Sequence, residues 1–143
     1  MTTVDQACPV PMPDAQSAGY WQAAARHELA LARCGQCHAF AHPPGAVCCA
    51  CGSIEPRFEW VTVSGKGRIR SWTVVRQSLL PGFDDLVPYV TLDVELEEQS
   101  DLRIIGRLLD GLGAPLSLNA RVTVCLEDIA PGDAVPAFRL SPE

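Results

Sequence analysis

The sequence has no apolar run approaching the roughly 18–20 residues needed to cross a bilayer. Its opening stretch, MTTVDQACPVPMPDAQSAG, has neither the basic n-region nor the apolar h-region of a secretory signal. A cytoplasmic protein with no membrane partner is therefore expected. Positive charge is also scarce. Lysine and arginine together number 11 against 17 aspartates and glutamates, a formal net charge of −6. Such a chain is repelled by nucleic acid unless its arginines are gathered on one face. No Gly-rich phosphate loop, nucleophile elbow or His–Glu metal motif occurs. The neighbouring carboxylates Asp84–Asp85, Glu97–Glu98 and Glu127–Asp128 would point to different sides of a strand, and His27 has no nucleophile in sight. No catalytic residue is assigned.

What is present is a chain of 143 residues with 48% apolar and 20% charged side chains, the composition of one folded domain plus a small appendage. Residues 1–17 are rich in proline and lack periodicity, which predicts a flexible tail with Cys8 as a stray thiol. AGYWQAAARHELALAR, residues 18–33, is made of helix formers and predicts a helix that leads into Cys34. From Phe58 the period changes to that of strands: FEWVTV, then GRIRSWTVVRQ after the SGKG turn. In YVTLDVELE, Val90, Leu92, Val94 and Leu96 fall on one face and Thr91, Asp93, Glu95 and Glu97 on the other. LRIIGRLLD and ARVTVCLE add two strands, and PAFRL a short edge. The expected fold is mainly β: a tail over 1–17, a helix and rubredoxin-like ribbon over 18–55, and a five-stranded oligonucleotide/oligosaccharide-binding (OB) barrel over 56–143.

Five of the seven cysteines lie in CGQCHAFAHPPGAVCCACG. Cys34 and Cys37 form one C-x-x-C and Cys48 and Cys51 another, ten residues further on. Each pair puts two sulfurs on one tight knuckle, and two knuckles close a tetrahedron around one zinc ion. Four protein ligands leave no position for water or substrate, so the zinc is expected to be structural, one per chain. Cys49 stands outside this set. Gly52 follows the second knuckle, where positive φ lets backbone N–H groups reach sulfur, and His38 holds the matching place after the first.

The layout as a whole resembles the zinc-ribbon/OB-fold acyl-CoA-associated proteins. The residues that carry the likeness are the Tyr20–Trp21 helix, C-x-x-C-x10-C-x-x-C-G-S, FEWVTVSGKGRIRSWTVV, then PYV and PAFR, which together span about residues 18–140. The resemblance implies an accessory protein rather than a free-standing enzyme. Its partner would be a thiolase-like enzyme or a hot-dog-fold enoyl-CoA hydratase, with the accessory chain contacting the acyl-CoA.

The residues then sort as follows. Tyr20 and Trp21 adjoin on the helix, and Leu79, Leu80 and Phe83 stand in the loop SLLPGFDDLVP; these are the expected partner contacts. Arg68, Arg70 and Trp72 of one strand are the candidates for the phosphates and adenine of coenzyme A. The alternative reading gives the same three groups to single-stranded nucleic acid, and the net negative charge counts against it.

Overall fold

A computed structural model describes residues 8–142 of the chain. Helix α1 covers Ala18–Ala25 and is stopped by a Schellman arrangement. The His27 N–H bonds the Ala24 carbonyl at 2.8 Å, the Glu28 N–H bonds the Ala23 carbonyl at 3.0 Å, and His27 takes the left-handed φ of 60°. The helix predicted to reach Arg33 therefore has only eight residues, and Ala30–Arg33 form strand β1. Propensity favours helix there, but strand pairing overrides it. β1 is the middle strand of a three-stranded antiparallel sheet, between β2 (Phe40–Ala41) and β3 (Glu59–Thr62). Leu29, Ala30, Leu31 and Ala32 are all buried, the mark of a strand covered on both faces.

FEWVTV, predicted to open the barrel region, supplies β3, which pairs with β1 and not with any barrel strand. The chain passes from one sheet to the other at Gly65, whose φ is 73° and whose α-carbon is packed against Val124.

The barrel is closed by β4 (Lys66–Val75), β5 (Tyr89–Leu96), β6 (Arg103–Leu108), β7 (Arg121–Ala130) and β8 (Asp133–Leu140), in the order β4-β5-β6-β8-β7 and back to β4. Only β6 and β8 run parallel. This is the OB barrel that the sequence predicts. PAFRL is not a short edge but the second half of an eight-residue strand that closes the barrel against both β6 and β7. In β5, Val90, Leu92, Val94 and Leu96 are buried as their alternation requires. They meet Ile69, Ile104, Leu108, Val122 and Phe138 in the barrel core. At Gly106 a β-carbon would sit 2.6 Å from the Pro136 carbonyl, so glycine lets β6 and β8 close on each other.

The same core runs on into the small sheet through Tyr20, Leu29 and Leu31. Polar ties reinforce the seam. The Gln99 amide, from the β5–β6 turn, accepts from the Phe40 N–H at 2.8 Å and donates to the Phe40 carbonyl at 3.0 Å. It thus completes the edge of β2 as a neighbouring strand would. His27 Nε2 lies 2.8 Å from Asp128 Oδ1 on β7. Of the tail predicted over 1–17, residues 1–7 lie outside the described residues. Cys8 is tied down by its S–H, which donates to the Gly82 carbonyl at 2.9 Å.

Candidate metal centre and docking face

The two C-x-x-C knuckles are brought together by the small sheet: Cys34 follows directly from β1, and Cys48 and Cys51 lie in the β2–β3 connection. The four Sγ atoms of Cys34, Cys37, Cys48 and Cys51 all lie within 4.8 Å of one another. Cys37 and Cys48 are 3.7 Å apart and Cys34 and Cys51 4.0 Å. Sulfurs at tetrahedral corners, each about 2.3 Å from one ion, would be about 3.8 Å apart, so the set fits a single metal. Cys49 is exposed and outside the group. Both knuckles have the same backbone turn. His38 and Gly52 take φ of 65° and 74°, and their N–H groups bond the carbonyls of Cys34 and Cys48 at 2.9 and 2.8 Å. The Gln36 N–H points at Cys34 Sγ from 3.4 Å.

The thiols share their protons unevenly. The N–H of Cys51, and then that of Ala50, hold Cys48 down to about 7 against its burial. At Cys37 the Ala39 N–H acts in the same direction, but burial and the thiols of Cys48, Cys51 and Cys34 prevail and raise it to about 11. A divalent cation among the four would displace these protons.

The helix pair divides between core and surface. Tyr20 is only 7% exposed, its ring 4.8 Å from that of Trp21 and 5.3 Å from that of His42. Trp21 is half-buried and forms the wall between two apolar hollows. One, of about 490 Å³, lies between Trp21, Phe83 and Leu86 of the β4–β5 loop, and Ile129, Val135 and Pro136 beside the β7–β8 turn. This is the face on which OB barrels hold their ligands, between the loops after their first and fourth strands. Its floor carries the Arg107–Glu127 ion pair, and Pro9–Pro11 of the tail lie along its rim. The other hollow, of about 580 Å³, lies between Trp21, His42, Trp60, Ile105 and Pro136. Leu79 and Leu80 are 85% and 58% exposed on the same β4–β5 loop.

Trp60 and Ile105 line the second hollow but are not among the residues singled out from the sequence. Trp60, read as a barrel residue, lies over Gly19 of α1. Ile105 is 64% exposed between Arg103 and Arg107, and an isoleucine at an outward position of a strand was the available signal.

Arg68 and Arg70 meet at Asn119, and Trp72 stands apart from them. Arg68 Nη1 donates to the Asn119 carbonyl at 3.1 Å and Arg70 Nη1 lies 3.4 Å from Asn119 Oδ1. Trp72 lines a separate shallow groove with Thr91, Asp93 and Ile105. No helix among the described residues is long and apolar enough to cross a membrane.

Residues 60–127 match the family model for the C-terminal OB-fold domain of ChsH2. A probable enoyl-CoA hydratase alpha subunit of Thermomonospora curvata is 31% identical over 133 residues, 92% of this chain and 39% of that protein. A DUF35 domain-containing scaffold protein of Methanothermobacter thermautotrophicus is 34% identical over 85 residues, 59% of this chain and 61% of that protein. The chain thus spans less than two thirds of each of these curated relatives. Among solved structures, a chain of the Ltp2-ChsH2(DUF35) aldolase superposes with a TM-score of 0.77 at 28% identity, covering 91% of this chain and 98% of that one. The fold is thus shared along nearly the whole length of that chain, and this protein is similar to the ChsH2 and DUF35 proteins that its sequence resembles.

Proposed function

We propose that this chain is a non-catalytic partner subunit of an acyl-CoA enzyme, a thiolase-like thiolase or aldolase or an enoyl-CoA hydratase. Cys34, Cys37, Cys48 and Cys51 hold one zinc ion, which supplies folding energy and no chemistry because four thiolates fill its coordination sphere. The docking surface is the apolar face around Trp21. The observation that carries this reading is the continuity of that face across the seam. Phe83 and Leu86 of the barrel loop, Trp21 of the helix, Trp60 of the small sheet and Ile105 of the barrel wall line adjoining hollows. Contact with the coenzyme A part of the thioester, through Arg68, Arg70 and Trp72, belongs to the same proposal. The names of the relatives support the partner class: one is a hydratase subunit, two are scaffolds, and the solved neighbour is part of an aldolase.

The test is coexpression with a thiolase-like or enoyl-CoA hydratase partner. A stable complex on size exclusion, with acyl-CoA turnover that requires both chains, is expected. Turnover of acyl-CoA substrates by the pure, isolated chain would refute the reading.

A further inference from the structure

The cations of this acidic protein are not spread evenly. Lys66, Arg68, Arg70, Arg121 and Arg139, five of the eleven, are all exposed on three adjoining barrel strands, β4, β7 and β8. The pairing sets them in rows. Lys66 is opposite Thr123, and Thr123 is opposite Arg139; two positions along, Arg68 is directly opposite Arg121. Like charges placed opposite each other on neighbouring strands destabilise a sheet. Among the described residues, no carboxylate relieves this pair. Arg26, Arg33, Arg103 and Arg107 each have a carboxylate, but none of the five does among the described residues. Glu95 is opposite Arg68 on its other side, yet its carboxylate accepts the Asp101 N–H at 2.9 Å. Glu97 is the one acidic side chain bordering the hollow beside Lys66 and Arg121.

Hydroxyl groups stand between the cations: Thr123 Oγ1 and Ser141 Oγ are 2.7 Å apart, and the Ser141 N–H bonds the Arg121 carbonyl. Beside the Arg68–Arg121 pair a groove of about 700 Å³ runs between Pro115, Leu118, Asn119 and Leu140. Asn119 takes one N–H from Arg68 and one from Arg70, which leaves most of the donors of three guanidinium groups unused. Planar guanidinium forks of this kind match phosphate oxygens two at a time.

We propose that this face is a binding site for a small molecule carrying two or more phosphate groups. The phosphates bridge Arg68 and Arg121, with Arg70, Lys66 and Arg139 around them, and the apolar part of the ligand lies in the groove along Leu118 and Leu140. The site shares Arg68 and Arg70 with the coenzyme A contact proposed above, but it needs no partner enzyme and leaves Trp72 out. Its failure would leave the docking reading intact, and loss of docking would leave this site intact.

The experiment is calorimetric titration of the isolated full chain with pyrophosphate and with ADP, together with thermal unfolding. Both probes should bind in a salt-sensitive manner and raise the unfolding midpoint. Arg68→Gln and Arg121→Gln should each weaken binding about tenfold or more, the scale of a lost charge-assisted contact. Arg76→Gln, just past the far end of β4, should not. Without any anion, Arg121→Gln should unfold at a higher temperature than the unaltered chain, because the opposed charges are gone, and should no longer respond to pyrophosphate. A merely structural arginine would give the opposite sign. No binding of either probe, equal weakening by Arg76→Gln, or a single-stranded RNA oligomer that binds more tightly than ADP would overturn the proposal.

Discussion

At the scale of single residues, the two knuckles show how far side-chain identity can be read. His38 and Gly52 occupy matching places and take the same left-handed backbone, although only one is glycine. Spacing along the sequence identified both, because a C-x-x-C knuckle is a local structure. The four cysteines follow the same logic, and their variants should separate ligand from bystander. Cys37→Ser should lose metal by elemental analysis, together with soluble yield, since binding energy at such a site is folding energy. Cys49→Ser should keep both. Tyr20 is legible as an aromatic but not as a core residue, because its burial depends on groups such as His42 arriving from elsewhere in the fold. Burial raises its phenol from 10.0 to about 12. The folded state therefore holds the proton where the unfolded chain releases it. The stabilisation is complete below about pH 10 and is lost as the pH rises through about 12. Alkaline unfolding followed by circular dichroism should move to higher pH in Tyr20→Phe, which has no phenol to ionise.

Among the elements, α1 and the β4–β5 loop carry the docking prediction. Trp21 and Phe83 line the same hollow from these two elements, and neither belongs to the group of buried core residues. Trp21→Ala and Phe83→Ala should each cost about 2 kcal/mol or more of association with the partner enzyme if they are anchors. Metal content and thermal unfolding should change little. Calorimetry with the purified partner measures the first, and binding equal to that of the unaltered chain would move the interface elsewhere on the barrel. The alternation of β5 was plain in the sequence because period two is a local signal. The end of α1 and the allegiance of β3 were not. ALAR is good helix sequence and EWVT good strand sequence, and which strand each pairs with is decided by contacts some 30 residues apart in the chain. β8 looks like a short edge in the sequence for a related reason: Gly132 and Pro136 look like breakers until the turn and the parallel partner β6 are known.

Over the whole molecule, two bodies of unequal robustness share one core. The barrel has five strands of six to ten residues, whereas the small sheet has strands of four, two and four. A sheet that short does not hold itself together. Chelation of the metal should therefore collapse amide protection in β1, β2 and β3 first, leaving β5, β6 and β8 slow to exchange, as hydrogen-exchange mass spectrometry would show. Equal loss throughout would mean that the two bodies unfold as one. The amide of Gln99 joins them by gripping the Phe40 backbone at both ends. With its two protons in unlike surroundings, one against a carbonyl and one free, that side chain should give a widely split pair of signals in a nitrogen-15 spectrum. The splitting would close when the knuckles open, so a group on the barrel would serve as a remote gauge of whether the cysteines are loaded.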